Sequence, residues 1–187
     1  TTLFRSRDGR EFLQEIKELN PSTKIFLDLK LYDIPNTMGD AIEEICALPV
    51  DMVTIHASSG KKAMSECVAR AKRFENRPLL VAVTALTSFE NSEFEEIYGK
   101  SIVEKAAFFA KECEECEVDG VVSSVYESLA IKLAHSKLIT VTPGIRLEEV
   151  SDDQARAATP SFAKSQKSDF IVVGRPIYKA KDRKAVL

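Results

Sequence analysis

Two opposite charges stand two residues apart in the run Asp28-Leu29-Lys30-Leu31-Tyr32-Asp33. Side chains alternate along an extended strand, so Asp28 and Lys30 share one face and Leu27 and Leu29 the other. Apolar residues surround the pair, and burying two such charges is costly unless they pair. A lysine at the end of a strand can act as a Schiff-base nucleophile or as a fixed cation and acid. The carboxylate of Asp28 argues for the second role, because it favours the charged amine over the neutral one. Asp33 follows on a loop, from which its carboxylate can approach Lys30 or reach a neighbouring subunit. The plain alternative is an exposed strand end carrying a solvated ion pair.

A second group of residues suits a phosphate. In Val173-Gly174-Arg175-Pro176-Ile177, Gly174 would let a backbone N–H approach an anion, and Arg175 would supply a bidentate fork. For Arg175 alone, the plain alternative is a surface charge. An earlier strand end, Thr142-Pro143-Gly144-Ile145-Arg146, carries another arginine. Other polar residues mean less. Pro35 fixes a turn, after which Asn36 or Thr37 can cap a helix. His56 ends a strand and reads either as a satisfied structural residue or as a base. His135 receives no role. Cys113 and Cys116 form a C-x-x-C pair with no second Cys or His pair nearby, so they read as helix residues one turn apart. No His, Cys and carboxylate group has the spacing of a metal site.

The elements that must hold these residues follow from apolar patterning. Strand candidates are Lys24–Lys30, Met52–His56, Leu79–Thr84, Gly120–Ser124, Leu138–Thr142 and Phe170–Gly174. Nearly continuous in Val, Ile and Leu, they fit strands buried on both faces of a parallel sheet. Amphipathic helices fall at roughly Asp8–Leu19, Thr37–Leu48, Lys61–Phe74, Ser101–Cys116, Glu127–Ala134 and Pro160–Lys167. Asp8 with Glu11 reads as a capping box, and Thr159-Pro160 as an N-cap followed by a first-position proline. Repeated β-then-α implies an α/β fold with parallel strands. The choice lies between an open doubly wound sheet and a (β/α)8 barrel. Neither G-x-G-x-x-G nor a P-loop is present. Polar residues end most of the strands, which favours the barrel. Such a barrel needs eight strands and about 250 residues. The 187 residues are therefore expected to be one TIM-barrel domain whose first strand, first helix and second strand lie upstream, with the final helix cut short.

Composition narrows the function. Hydrophobic residues make up 44% and charged residues 29%, a soluble globular balance. A net charge of −3 gives no basic footprint for nucleic acid. No apolar run approaches the roughly 20 residues of a membrane span. Four cysteines without a disulfide-like spacing fit a reduced, cytoplasmic protein.

Taken together, the motifs resemble the orotidine 5′-phosphate decarboxylase family. The matching pieces are Asp28-Leu-Lys30-Leu-Tyr-Asp33-Ile-Pro-Asn-Thr37, Asp51-Met-Val-Thr-Ile-His56, Ala85-Leu-Thr87-Ser88, Val141-Thr-Pro-Gly-Ile-Arg146, Asp153-Gln154 and Val173-Gly-Arg175-Pro-Ile. They run the length of the chain in family order, and the first is highly specific. The resemblance implies that Lys30 protonates C6 of the pyrimidine as carbon dioxide leaves. Asp28 would position that lysine and crowd the substrate carboxylate. Asp33 would join the partner subunit's site in a homodimer, with Thr37 near the same interface. Thr87 and Ser88 would contact the pyrimidine. Gln154, Gly174 and Arg175 would hold the phosphate, with Arg146 on a mobile loop beside it. No metal or organic cofactor is implied. The family also carries an Asp and a Lys on its first two strands, and both are expected before Thr1.

Three other activities share parts of this pattern. A keto-sugar-phosphate decarboxylase on the same barrel would use Asp-x-Lys-x-x-Asp with Mg²⁺, but Ile34-Pro35-Asn36-Thr37 favours the first family. A Schiff-base aldolase would use Lys30 as nucleophile. A non-catalytic barrel would only bind a phosphorylated ligand.

Overall fold

The computed structural model describes residues 9–147, 157–183 and 185. Each apolar run becomes a strand: β1 (Phe26–Leu31), β2 (Met52–His56), β3 (Leu79–Val83), β4 (Gly120–Val122), β5 (Ile139–Thr142) and β6 (Phe170–Ile171). They form one parallel sheet in the order β1-β2-β3-β4-β5-β6. The helices are α1 (Gly9–Leu19), α2 (Pro35–Cys46), α3 (Lys61–Ala71), α4 (Asn91–Tyr98), α5 (Ile102–Glu115), α6 (Val125–Ala134), α7 (Pro160–Ser165) and α8 (Arg175–Tyr178).

Period-two alternation divides the apolar residues between two cores. Leu27, Val53, Ile55, Leu80, Ala82 and Val121 turn to the helices. There they join Ile42 of α2, Met64 and Cys67 of α3, Phe109 of α5 and Ile131 of α6. Met52, Val81, Val83, Val122 and Val141 form a separate core on the other face. Burial on both faces is the reason that these strands are apolar at consecutive positions. The sheet remains open at β1 and β6. Phe26 is 36% exposed and Phe170 49%, beside a cleft of about 470 Å³ between the two edges. A closed barrel of this kind has eight strands, and the described residues supply six of them.

Several local expectations need correction. α2 begins at Pro35, so Asn36 and Thr37 lie inside the helix and do not cap it. Ile34 takes the N-cap position, without a side-chain cap. The side chain of Asn36 instead meets Asp40 and Arg70. Arg70 also bonds Glu43 and Glu66, tying α2 to α3. Ser124 does not end a strand but caps α6 in a reciprocal box with Glu127, so β4 is short. β6 is shorter than expected too, because Gly174 already opens α8. α4 has no counterpart among the expected helices. It is eight residues long, mostly polar, and buries only Phe94, so its periodicity is weak; Gly99 ends it at φ 67°. Thr159 caps α7 by accepting the Phe162 amide, with Pro160 in the first turn, as the sequence predicts. The Asp8 half of the expected capping box lies outside the described residues.

Candidate active site

β1 and β2 pair regularly from Phe26↔Met52 to Leu27↔Val53, and then the register jumps to Leu31↔Ile55. Asp28, Leu29 and Lys30 therefore all stand opposite Thr54. This is a bulge, in which surplus residues lose ladder partners and the strand bends. Simple alternation would have placed Asp28 and Lys30 on one face. They do share a face: Leu27, Leu29 and Leu31 pack on the helix side while Asp28 and Lys30 line the opposite one, and the bulge leaves Lys30 at φ 52°. A left-handed backbone is uncommon for a residue with a Cβ.

Thr54 closes the bulge. Its hydroxyl accepts the Lys30 backbone N–H at 2.8 Å and donates to Asp28 Oδ1 at 2.8 Å. Lys30 Nζ donates to Asp28 Oδ2 at 2.5 Å. Both oxygens of Asp28 are thereby engaged, and the ammonium and carboxylate form the ion pair that the sequence calls for. Thr54 is 1% exposed.

These three residues line one wall of a cavity of about 460 Å³ at the carboxyl ends of the strands. The other walls come from loops. Thr87 and Ser88 follow β3, Arg146 follows β5, and Gly174 and Arg175 follow β6. Arg146 is only 7% exposed and donates to the Ile145 carbonyl at 3.0 Å. A Cβ on Gly174 would meet nothing closer than the Tyr178 ring, at 3.9 Å, so the space before this glycine is open. The cavity thus has an ammonium–carboxylate pair on β1 and two guanidinium groups, Arg146 on the loop after β5 and Arg175 at the start of α8.

The remaining expected site residues stand elsewhere. Asp33 and Thr37 are exposed and do not line the cavity. The carboxylate of Asp33 accepts the Ile34 amide at 2.7 Å. Gln154 lies outside the described residues. His56 ends β2 beside Tyr32, with ring centroids 5.5 Å apart. Its Nδ1 meets the Ser58 hydroxyl at 2.6 Å. Burial pushes the His56 pKa down, and the charge of Lys30 pushes the same way. That environment makes it a held, neutral imidazole at the rim. Cys113 is buried in α5 against Met64, and Cys116 caps the same helix. Both are free thiols, so the C-x-x-C pair is structural. Among the described residues no three His, Cys, Asp or Glu side chains cluster as metal ligands would.

Among the side chains with hydrogen-bonding groups that line the cavity, sequence reasoning gave no role to Thr54 and Tyr178. Thr54 had a signal: it lies two residues before His56 and two after Met52, on the inward face of β2. Tyr178 lies one helical turn beyond Gly174, and only the fold of α8 brings it to the cavity.

Comparison with known proteins points to one family. The model of the orotidine 5′-phosphate decarboxylase / HUMPS family matches residues 1–187. An orotidine 5′-phosphate decarboxylase from Sulfurimonas denitrificans is 56% identical over 183 residues, covering 97% of this chain and 81% of the relative. One from Nautilia profundicola is 56% identical over 186 residues, covering 97% and 80%. The crystal structure of orotidine 5′-phosphate decarboxylase from Lactobacillus acidophilus superposes with a TM-score of 0.78 at 33% identity, over 93% of this chain and 77% of the other.

Proposed function

The chain belongs to the orotidine 5′-phosphate decarboxylase / HUMPS family, and we propose that it converts orotidine 5′-phosphate to uridine 5′-phosphate in pyrimidine biosynthesis. The observation that carries this reading is the Lys30–Asp28 pair facing a cavity that two arginines also line. Relatives at 56% identity carry the decarboxylase name, which favours it over a keto-sugar-phosphate substrate.

The chemistry follows from where charge develops. The bond from C6 to the carboxylate breaks, carbon dioxide leaves, and the electron pair stays on C6. That pair lies in the ring plane, so the π-system cannot absorb it. A cation already fixed beside C6 stabilises the pair without solvent reorganisation. Lys30 then gives C6 its proton and is left as a neutral amine, which regains a proton from water. Asp28 holds the ammonium in place and crowds the departing carboxylate. Thr87 and Ser88 contact the pyrimidine, while Gln154, Gly174 and Arg175 take the phosphate, with Arg146 beside it. Binding energy gathered at the phosphate drives strain at the reacting carbon. The proposed reaction needs no metal or organic cofactor.

The same reading makes the six strands and their helices one barrel domain that works as a homodimer. Asp33 and Thr37 support this, since both are exposed beside the cavity-bearing strand and are free to serve a partner's site. It also places the enzyme in the cytoplasm, where its four free thiols stay reduced.

The test is loss of orotidine 5′-phosphate absorbance with the full-length protein. Turnover is expected, and Lys30→Ala should abolish it while still binding uridine 5′-phosphate. No turnover together with no binding of that nucleotide would refute the reading.

A further inference from the structure

We propose that Thr54 is a positioning residue that sets the geometry of the Lys30–Asp28 pair before substrate arrives. The inference rests on the decarboxylase reading and assigns Thr54 a role within it.

The argument begins with what a hydroxyl can do. It carries one proton and two lone pairs. The backbone N–H of Lys30 only donates, so at 2.8 Å it must use a lone pair of Thr54 Oγ1. The hydroxyl proton then goes to Asp28 Oδ1, at 2.8 Å. Neither role can be exchanged, so the direction of both bonds is determined. Burial adds to this: at 1% exposure Thr54 has almost no competing water. As a β-branched residue within β2, it also has little freedom at χ1.

Two consequences follow. The first concerns Asp28. Without Thr54, its carboxylate could turn about its last bond and still pair with Lys30. With Oδ1 engaged, Oδ2 is the atom left facing the ammonium, and its direction is set. The second concerns Lys30. The bulge removes its backbone from the regular ladder between Leu27↔Val53 and Leu31↔Ile55. Thr54 supplies the missing acceptor and holds Lys30 in a left-handed conformation, at φ 52°. One side chain therefore fixes both the backbone from which the acid projects and the carboxylate that aims it. A proton donor displaced by about 1 Å loses on the order of a hundredfold in rate, so this constraint matters to the reaction.

The experiment uses the full chain and measures kcat and KM with orotidine 5′-phosphate. Thr54→Val keeps the shape and removes both hydrogen bonds. Its kcat should fall about ten- to a hundredfold, while KM changes by less than about threefold, because the phosphate contacts are untouched. Thr54→Ser keeps the hydroxyl and should hold kcat within about threefold of the parent. Should Thr54→Val fail to fold, Thr54→Ala carries the same expectation, checked by thermal unfolding. Unchanged kcat in the folded Val or Ala variant would overturn the proposal. So would a Ser variant as slow as the Val or Ala variant, or a loss confined to KM. A parent chain that binds uridine 5′-phosphate but fails to turn over substrate would instead refute the proposed function.

Discussion

Lys30 combines an ammonium paired with a carboxylate and a left-handed backbone at φ 52°. A side-chain-bearing residue there costs of order 1–3 kcal/mol, and the surrounding bonds must hold it. Its amide is held by Thr54 and its ammonium by Asp28. The strain can be measured apart from the chemistry. Lys30→Ala and Lys30→Gly both remove the ammonium, and both should be inactive. Glycine occupies positive φ without a Cβ clash, so the Gly variant should be more stable than the Ala variant by about 1 kcal/mol. Urea midpoints check this, and an Ala variant as stable as the Gly variant would show that the backbone is relaxed. The Asp28–Lys30 pair was legible in the sequence because charge among apolar residues demands a partner. The left-handed turn was not, because lysine is a poor marker for such a conformation and the bulge depends on how β1 meets β2.

At the scale of elements, close approach sets one position. Gly120 begins β4 opposite Ile139 of β5. A Cβ there would overlap the carbonyl oxygen and side chain of Ile139. Backbone cannot yield as a flexible side chain does. Gly120→Ala should therefore destabilise the fold by about 1–3 kcal/mol, as overpacking does. The measurement is a denaturant midpoint, and an unchanged midpoint would mean that β4 and β5 separate easily. The six strands themselves were legible, since runs buried on both faces have a strong apolar signature. α4 was not, because one buried aromatic in eight residues leaves too weak a pattern. The start of α2 was misplaced for another reason: Pro35 is preorganised for the first turn, so the helix begins there without the side-chain cap that Asn36 or Thr37 seemed to offer.

At the scale of the whole molecule, Asp33 and Thr37 pose the sharpest question, because they are exposed away from their own cavity. If Asp33 serves a partner, sites divide between subunits. Lys30→Ala and Asp33→Ala homodimers should each be nearly inactive. Unfolded together and refolded, they should regain about a quarter of the parent's activity, because half of the dimers are mixed and each has one intact site. No recovery in a preparation shown to contain mixed dimers would place Asp33 and Lys30 in the same subunit's site.

The sequence by itself determined which groups could do chemistry and the kind of layer that must carry them. Charge within apolar runs, polar strand ends and an arginine after a glycine are local facts, and local physics interprets them. Tertiary structure decided how the Asp28-Lys30 run is held. The jump in register, the left-handed turn at Lys30 and the engagement of Thr54 exist only where β1 lies against β2, 24 residues apart in the Thr54 to Lys30 bond. The opening run is thus an ammonium and its carboxylate, joined by a threonine from the next strand. A hydrogen bond between strands depends on register, and register is a property of the pairing that neither strand carries alone.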